Sequence, residues 1–192
     1  MGNEPKRERR DAARNRRAIL DATDALLAEF GADNVSIEQV AAAAGVSKGT
    51  VFHRFGSKAG LMRALVVERA HALRDAVVGG PPPLGPGAPA AERLLAYFDE
   101  MFRLVVDNVE LMIAYDKATD DPHTEAIHAF WYGHIASLLA EIRPDSDAEV
   151  LARVLLSTLN GDLVLHHIRT GQTERLAGAI HGLVESVATR PD

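Results

Sequence analysis

The sequence contains no cysteine. That excludes disulfides, thiolate zinc sites and cysteine nucleophiles together, and it fits a reducing compartment. No segment approaches the roughly 18 consecutive apolar residues of a membrane span. The opening stretch, MGNEPKRERRDAARNRR, is charged and leads into no apolar secretory core. The expectation is a soluble, cytoplasmic protein with no membrane partner. No alternating strand pattern occurs, and neither a nucleophile elbow, a phosphate-binding glycine loop nor a dinucleotide fingerprint is present. Nothing in the chain therefore nominates a catalytic residue or a cofactor.

What remains is a chain of 192 residues, 47% hydrophobic and 25% charged, the balance of a globular protein. Its net charge of −6 argues against nucleic acid until the charges are placed. Residues 1–75 carry 13 Lys/Arg against 10 Asp/Glu, a net +3, whereas residues 76–192 carry 8 against 17, a net −9. A basic head on an acidic body attracts phosphates at one end and repels them elsewhere. A merely solvated basic N-terminus is the alternative.

Helical periodicity begins after the basic run. Ile19, Thr23, Leu26, Leu27 and Phe30 share one stripe, and Gly31 supplies a stop, giving a first helix over about 12–30. Ser36 stands three residues before Gln39, a capping-box pattern, and opens a short helix that Gly45 ends. Ser47 caps a third helix through Phe55, and Ser57 a fourth to about Val78. The run GGPPPLGPGAP, residues 79–89, must be a connection, since each proline fixes φ and removes a donor. A ligand for a proline-binding partner is its other reading.

Further helical stretches are expected at 90–108, 109–117, 123–142, 147–169 and 173–188. The fold class is all-α. The segment Ala148 to Arg169 is apolar in almost every direction around its axis, and such a helix needs neighbours on several sides. With the broad face of the last helix it suggests a twofold interface made by Leu159, Leu163, Leu176, Ile180, Leu183, Val184 and Val187. Burial wholly within one monomer is the alternative.

Three short helices, the second and third joined at Gly45-Val46, have the scale of a helix-turn-helix, whose second helix enters the DNA major groove. Val46, Val51 and Phe55 read as inward anchors. Ser47, Lys48, Gly49, Thr50, Phe52, His53 and Arg54 remain for the cap, solvent or DNA. Lys48, His53 and Arg54 can donate to phosphates, Thr50 can meet a base edge, and Gly49 lets backbone approach closely. A plain helical corner would have the same spacing.

The run AAAAGVSKGTVFHRFGSKAGL, residues 41–61, together with Phe30-Gly31 and the capped VSIEQVA, resembles the DNA-binding domain of TetR-family regulators. The resemblance spans roughly residues 14–70. It implies an N-terminal three-helix helix-turn-helix DNA-binding domain and a C-terminal helical ligand-binding and dimerisation domain, with boundaries at 1–56, a linking helix 57–78, and 79–192. It also implies a homodimer on a double-stranded operator, acting as a repressor released by a small-molecule effector. Lys58 matches the family's phosphate-contacting lysine. Two positions depart from the pattern: Phe52 stands where a tyrosine hydroxyl usually meets a phosphate, and Arg54 where a histidine usually does. Phenylalanine cannot make that bond, whereas arginine adds donors and a fixed charge. The arm Lys6, Arg7, Arg9, Arg10, Arg14, Arg16 and Arg17 either reaches a minor groove or contributes little.

In the body the resemblance places Tyr97, Met101, Met112, Tyr115, Trp131 and His134 on helices around a family-type effector pocket, although each also suits a core. His166, one turn after Asp162, could serve a polar effector or a metal; a hydrogen-bonded pair near a helix end is the plainer reading. Glu125-x-x-His128 has the spacing of half of a di-iron bundle motif, which needs two such pairs and two further glutamates brought together in one bundle. No metal is expected.

Overall fold

The structure, a computed structural model, describes residues 4–116 and 122–189, with side chains described for all of these except 4–10, 33, 110–116 and 122–125. Among the described residues there are nine α-helices, one 3-10 turn and no strand, an all-α fold. The chain divides into two compact units, Met1–Val66 and Val67–Asp192, with the division inside the fourth helix.

The first unit holds α1 (Glu4–Phe30), the turn Ala32–Asn34, α2 (Ile37–Ala43), α3 (Lys48–Phe55) and the beginning of α4 (Lys58–Gly79). Ile19, Leu20, Val40, Val51 and Leu61 are fully buried, each stabilising the unit by about 1.5 to 3 kcal/mol through removal of apolar surface from water. Thr23 joins them because its hydroxyl donates to the Ile19 carbonyl at 2.7 Å, so no polar group is left unpaired. Two expectations are corrected. α1 starts at Glu4 rather than near residue 12, since the basic stretch is rich in Arg, Glu and Ala, all good helix formers. Phe30 stays exposed, because the chain leaves the buried stripe at Gly31, where φ is +74°.

The second unit contains the rest of α4 with α5 (Ala90–Asp116), α6 (Pro122–Ile142), α7 (Ala148–Ser157), α8 (Gly161–Arg169) and α9 (Thr173–Ala188). α5 is the central helix, packed against α6, α8 and α9, while α6 also packs against α7. Leu94, Phe98, Ile135, Leu138, Leu155 and Val164 lie in one continuous core. Arg143, just after α6, donates to the carbonyls of Val187 at 2.7 Å and Thr189 at 3.2 Å, satisfying acceptors that the end of α9 leaves unpaired.

α5 is one helix where two were expected. Asn108, at the expected boundary between them, is buried with both ends of its amide used: it donates to the Leu104 carbonyl and accepts from Arg69 Nη1, each at 2.7 Å. Conversely, the single helix expected over 148–169 is two. Thr158 turns its hydroxyl back onto the Leu155 carbonyl at 2.7 Å, and the Asn160 side chain accepts from the backbone N–H groups of Asp162 and Leu163, capping a new start.

The proposed dimer residues separate into two sets. Leu159, Leu176, Ile180 and Val184 are buried in this unit's own core, which corrects their assignment to a surface: the four-residue spacing of the last three is the face by which α9 meets α5. Val187 is half-buried against the same core. Leu163 and Leu183 are turned out, 40% and 43% exposed.

Candidate nucleic-acid interface

The geometry of the turn between α2 and α3 follows from Gly45. Its φ of +66° is costly for any residue with a Cβ, and it lets the last turn of α2 close on itself. Val46 N–H donates to the Ala41 carbonyl at 2.9 Å and Gly45 N–H to Ala42 at 3.2 Å, the paired bonds of a Schellman cap. The start of α2 is held by the expected box, in which Gln39 N–H donates to Ser36 Oγ at 3.2 Å and Ser36 N–H to the Gln39 side chain at 2.8 Å. Ser47 Oγ accepts from Thr50 N–H at 3.1 Å, and Ser57 Oγ from Gly60 N–H at 3.0 Å, so α3 and α4 begin where their serines predict.

Of the three anchors of α3, Val51 is fully buried, and Val46 and Phe55 are half-buried. The opposite side of α3 carries Lys48, Gly49, Phe52, His53 and Arg54, all exposed. Two basic residues, His53 and Arg54, stand in its last turn. A Cβ on Gly49 would meet only Ser47 Oγ, at 3.7 Å, so the space above this glycine is open to a partner. The Phe52 ring is 43% exposed and lies 5.6 Å from Lys48 Nζ. A large apolar ring held out in water beside a lysine suits contact with another molecule better than it suits a solvated face.

Several of the candidate residues are already engaged. Lys48 pairs with the Glu38 carboxylate of α2, whose pKa is drawn below the usual range first by that hydrogen bond. Lys58 is half-buried and donates to the Ala32 carbonyl at 2.8 Å. Thr50 is half-buried too, sharing a hydrogen bond with Ser47 Oγ at 2.8 Å. In the arm, Arg14 pairs with Asp11 and Arg17 with Asp21; the side chains of Lys6, Arg7, Arg9 and Arg10 lie outside the described residues.

One residue that sequence reasoning passed over is Gly60. A Cβ there would come within 2.0 Å of the Phe55 carbonyl oxygen, so only glycine lets the first turn of α4 close against the end of α3. Its signal was the unexplained glycine in Ser57-Lys58-Ala59-Gly60.

The second unit has an open cleft of about 440 Å³, bordered by Val77 and Val78 of α4, Arg93 of α5, and Phe130, Gly133 and His134 of α6. Of the effector-pocket candidates whose side chains are described, His134 alone lines it. Tyr97, Met101 and Trp131 are buried in the core, where the Tyr97 ring meets Phe98 edge-on at 5.5 Å and Trp131 at 5.5 Å. His166 is exposed on α8 and faces the His167 ring at 5.3 Å. Met112 and Tyr115 fall outside the described side chains, as does Glu125 of the half-motif with His128. Among the described residues no group of three or more His, Asp or Glu side chains is placed to hold a metal ion. No described helix is long and apolar enough to cross a membrane.

Comparison with known proteins decides what this arrangement is. The profile of the bacterial regulatory proteins of the tetR family matches residues 19–65, the segment that forms the helix-turn-helix. A transcriptional regulator of the helix-turn-helix type from Cronobacter sakazakii, BetI, is 32% identical over 176 residues, covering 85% of this chain and 84% of that protein. The chain belongs to the TetR family. BetI of Escherichia coli (strain K12 / DH10B) is 39% identical over 89 residues, 44% of this chain and 45% of that one. Among solved structures, a TetR/AcrR-family regulator from Thermobifida fusca matches with a TM-score of 0.63 at 19% identity, over 91% of this chain and 98% of that one. A Rhodococcus regulator gives 0.63 at 22% identity over 93% and 98%. At such identities these two attest the fold. The chain is thus a DNA-binding transcriptional regulator, from a family of regulators rather than enzymes.

Proposed function

We propose that the protein is a homodimeric, cytoplasmic repressor that holds a double-stranded operator through α3 and the start of α4 and is released by a small-molecule effector bound in its helical body. The observation that carries this reading is the exposed side of α3, where Lys48, Gly49, Phe52, His53 and Arg54 stand free of the core while Val51 fixes the helix from behind. Phosphate contacts set register, and in this reading Thr50 and Lys48 meet base edges once they exchange their Ser47 and Glu38 partners for DNA. In this reading residues 1–56 form the head, 57–78 a linking helix and 79–192 the body.

Dimerisation is supported by the outward leucines, Leu163 on α8 and Leu183 on α9, and by the exposed Gly178, Ala179 and Gly182, which would let a second helix approach closely. Two linked heads reach neighbouring half-sites at a high effective concentration, whereas a single head binds each independently. An effector that prefers the body with its heads wrongly spaced for DNA then empties the operator by population shift. Sedimentation of Leu183→Glu, with and without operator, tests the assembly: a folded monomer that has lost most of its operator affinity is expected. A variant that stays dimeric places the interface elsewhere.

A further inference from the structure

The cleft of the second unit holds a charge that no described residue answers. Arg93 lines it, its Nε is buried without a hydrogen-bond partner, and among the described residues no carboxylate pairs with its guanidinium. Residues 76–192 carry a net −9, so an unpaired arginine here is not a consequence of local composition. Beside it, His134 has a buried Nε2, also without a partner. The ring is held neutral: burial, and then the nearby Arg93 charge, push its pKa down to about 4. A neutral imidazole can donate through Nε2 to an acceptor, while a buried donor left unmade is a standing cost. Ser137 adds a third polar group on the same helix.

The remainder of the wall is apolar. Val77 and Val78 come from α4, and the Phe130 ring lies parallel to that of His134, 2° between planes at 6.1 Å. Gly133 opens the mouth, where an added Cβ would meet nothing within 4 Å. The volume falls in the range of small-molecule sites, which typically combine apolar walls with a few convergent polar groups.

We propose that this cleft binds a small organic carboxylate with a planar apolar body, its anionic oxygens accepting from Arg93 and His134 Nε2. A cation would face Arg93 with no acidic side chain in the lining to offset it, and an uncharged apolar ligand would leave both polar groups unpaired. The inference deepens the effector reading by naming the effector's chemical class, and it rests on that reading only for its regulatory consequence.

Calorimetric titration of the full-length protein with 2-naphthoate and with the uncharged isostere 2-naphthamide tests it. Naphthoate is expected to bind once per chain and at least about tenfold more tightly than the amide, the scale of a charge-assisted hydrogen bond. Arg93→Gln should remove that preference. Gly133→Leu should block both probes by filling the mouth while leaving the melting temperature equal or higher, so loss of binding there is not loss of fold. Equal affinity for the two probes, an undiminished preference in Arg93→Gln, or no naphthoate binding at millimolar concentration overturns the proposal. If naphthoate binds through Arg93 and the operator complex does not respond, the carboxylate site stands and the effector reading falls. If other molecules release operator and naphthoate does not bind, the effector reading stands and this inference falls.

Discussion

Replacing Tyr97 by phenylalanine is expected to stabilise the protein, a sign opposite to that of most core substitutions. Tyr97 is 0% exposed on α5, and its hydroxyl has no hydrogen-bond partner. Burial alone raises its pKa above the ordinary phenol value, the mark of a group deprived of water without replacement. Leaving a hydroxyl in that condition costs about 1 to 3 kcal/mol. Phenylalanine keeps the ring and hence its contacts with Phe98, Trp131 and His134 at 5.5, 5.5 and 5.6 Å. The void left by one oxygen returns a fraction of the gain, so the net is about 1 to 2 kcal/mol. For a chain of this size that raises the melting temperature by roughly 2 to 8 °C. Urea unfolding should show a higher midpoint at an unchanged slope, and Tyr97→Ala, which also empties the ring's space, should lose about 3 to 5 kcal/mol. A lower midpoint for Tyr97→Phe would instead mean that the hydroxyl is paired in solution.

Three further outcomes follow from particular contacts. Gly60→Ala should lower stability by about 2 kcal/mol or more and weaken DNA binding with it, because the new methyl meets the Phe55 carbonyl backbone rather than a movable side chain; thermal melting and operator titration check both. Glu38→Gln frees Lys48 and removes a negative charge beside the DNA face, so binding at low salt should tighten about two- to fivefold with little change in folding; weaker binding would remove Lys48 from the interface. His134 remains neutral in the fold down to about pH 4 but takes up a proton near 6.5 when unfolded. Its contribution is therefore complete above pH 6.5 and is lost as pH falls towards 4, at most on the order of 2 to 3 kcal/mol after solvent screening of a half-buried ring, and His134→Gln should flatten that part of the stability profile.

The head was legible in the sequence because its determinants are local. Ser36 and Gln39, Gly45, Ser47 and Ser57 each act within three or four residues, so spacing alone announces the bond that forms. The body was less legible. The apolar residues of 148–169 satisfy one long helix as well as two short ones, and the break at Asn160-Gly161 is written in a turn dipeptide that the hydrophobic pattern outweighed. Periodicity marked α9 as apolar on a broad face without telling which part of it meets α5 and which faces outward. Val184 and Leu183 are neighbours in sequence with opposite fates. The cleft depends on residues up to 60 positions apart, Val77 and Ser137 among them, and no local signal links Arg93 to His134. The Glu38–Lys48 pair was hidden for the same reason, since it closes only when α2 and α3 fold against each other.

Footprinting of the protein on fragments selected from its own genome reads out whether α3 meets DNA as one of two symmetry-related heads. The expected result is two protected half-sites with inverted sequence, about one helical turn or a multiple apart, and weakened protection in both for Thr50→Ala. Protection without sequence preference, or of a single unpaired half-site, would contradict it.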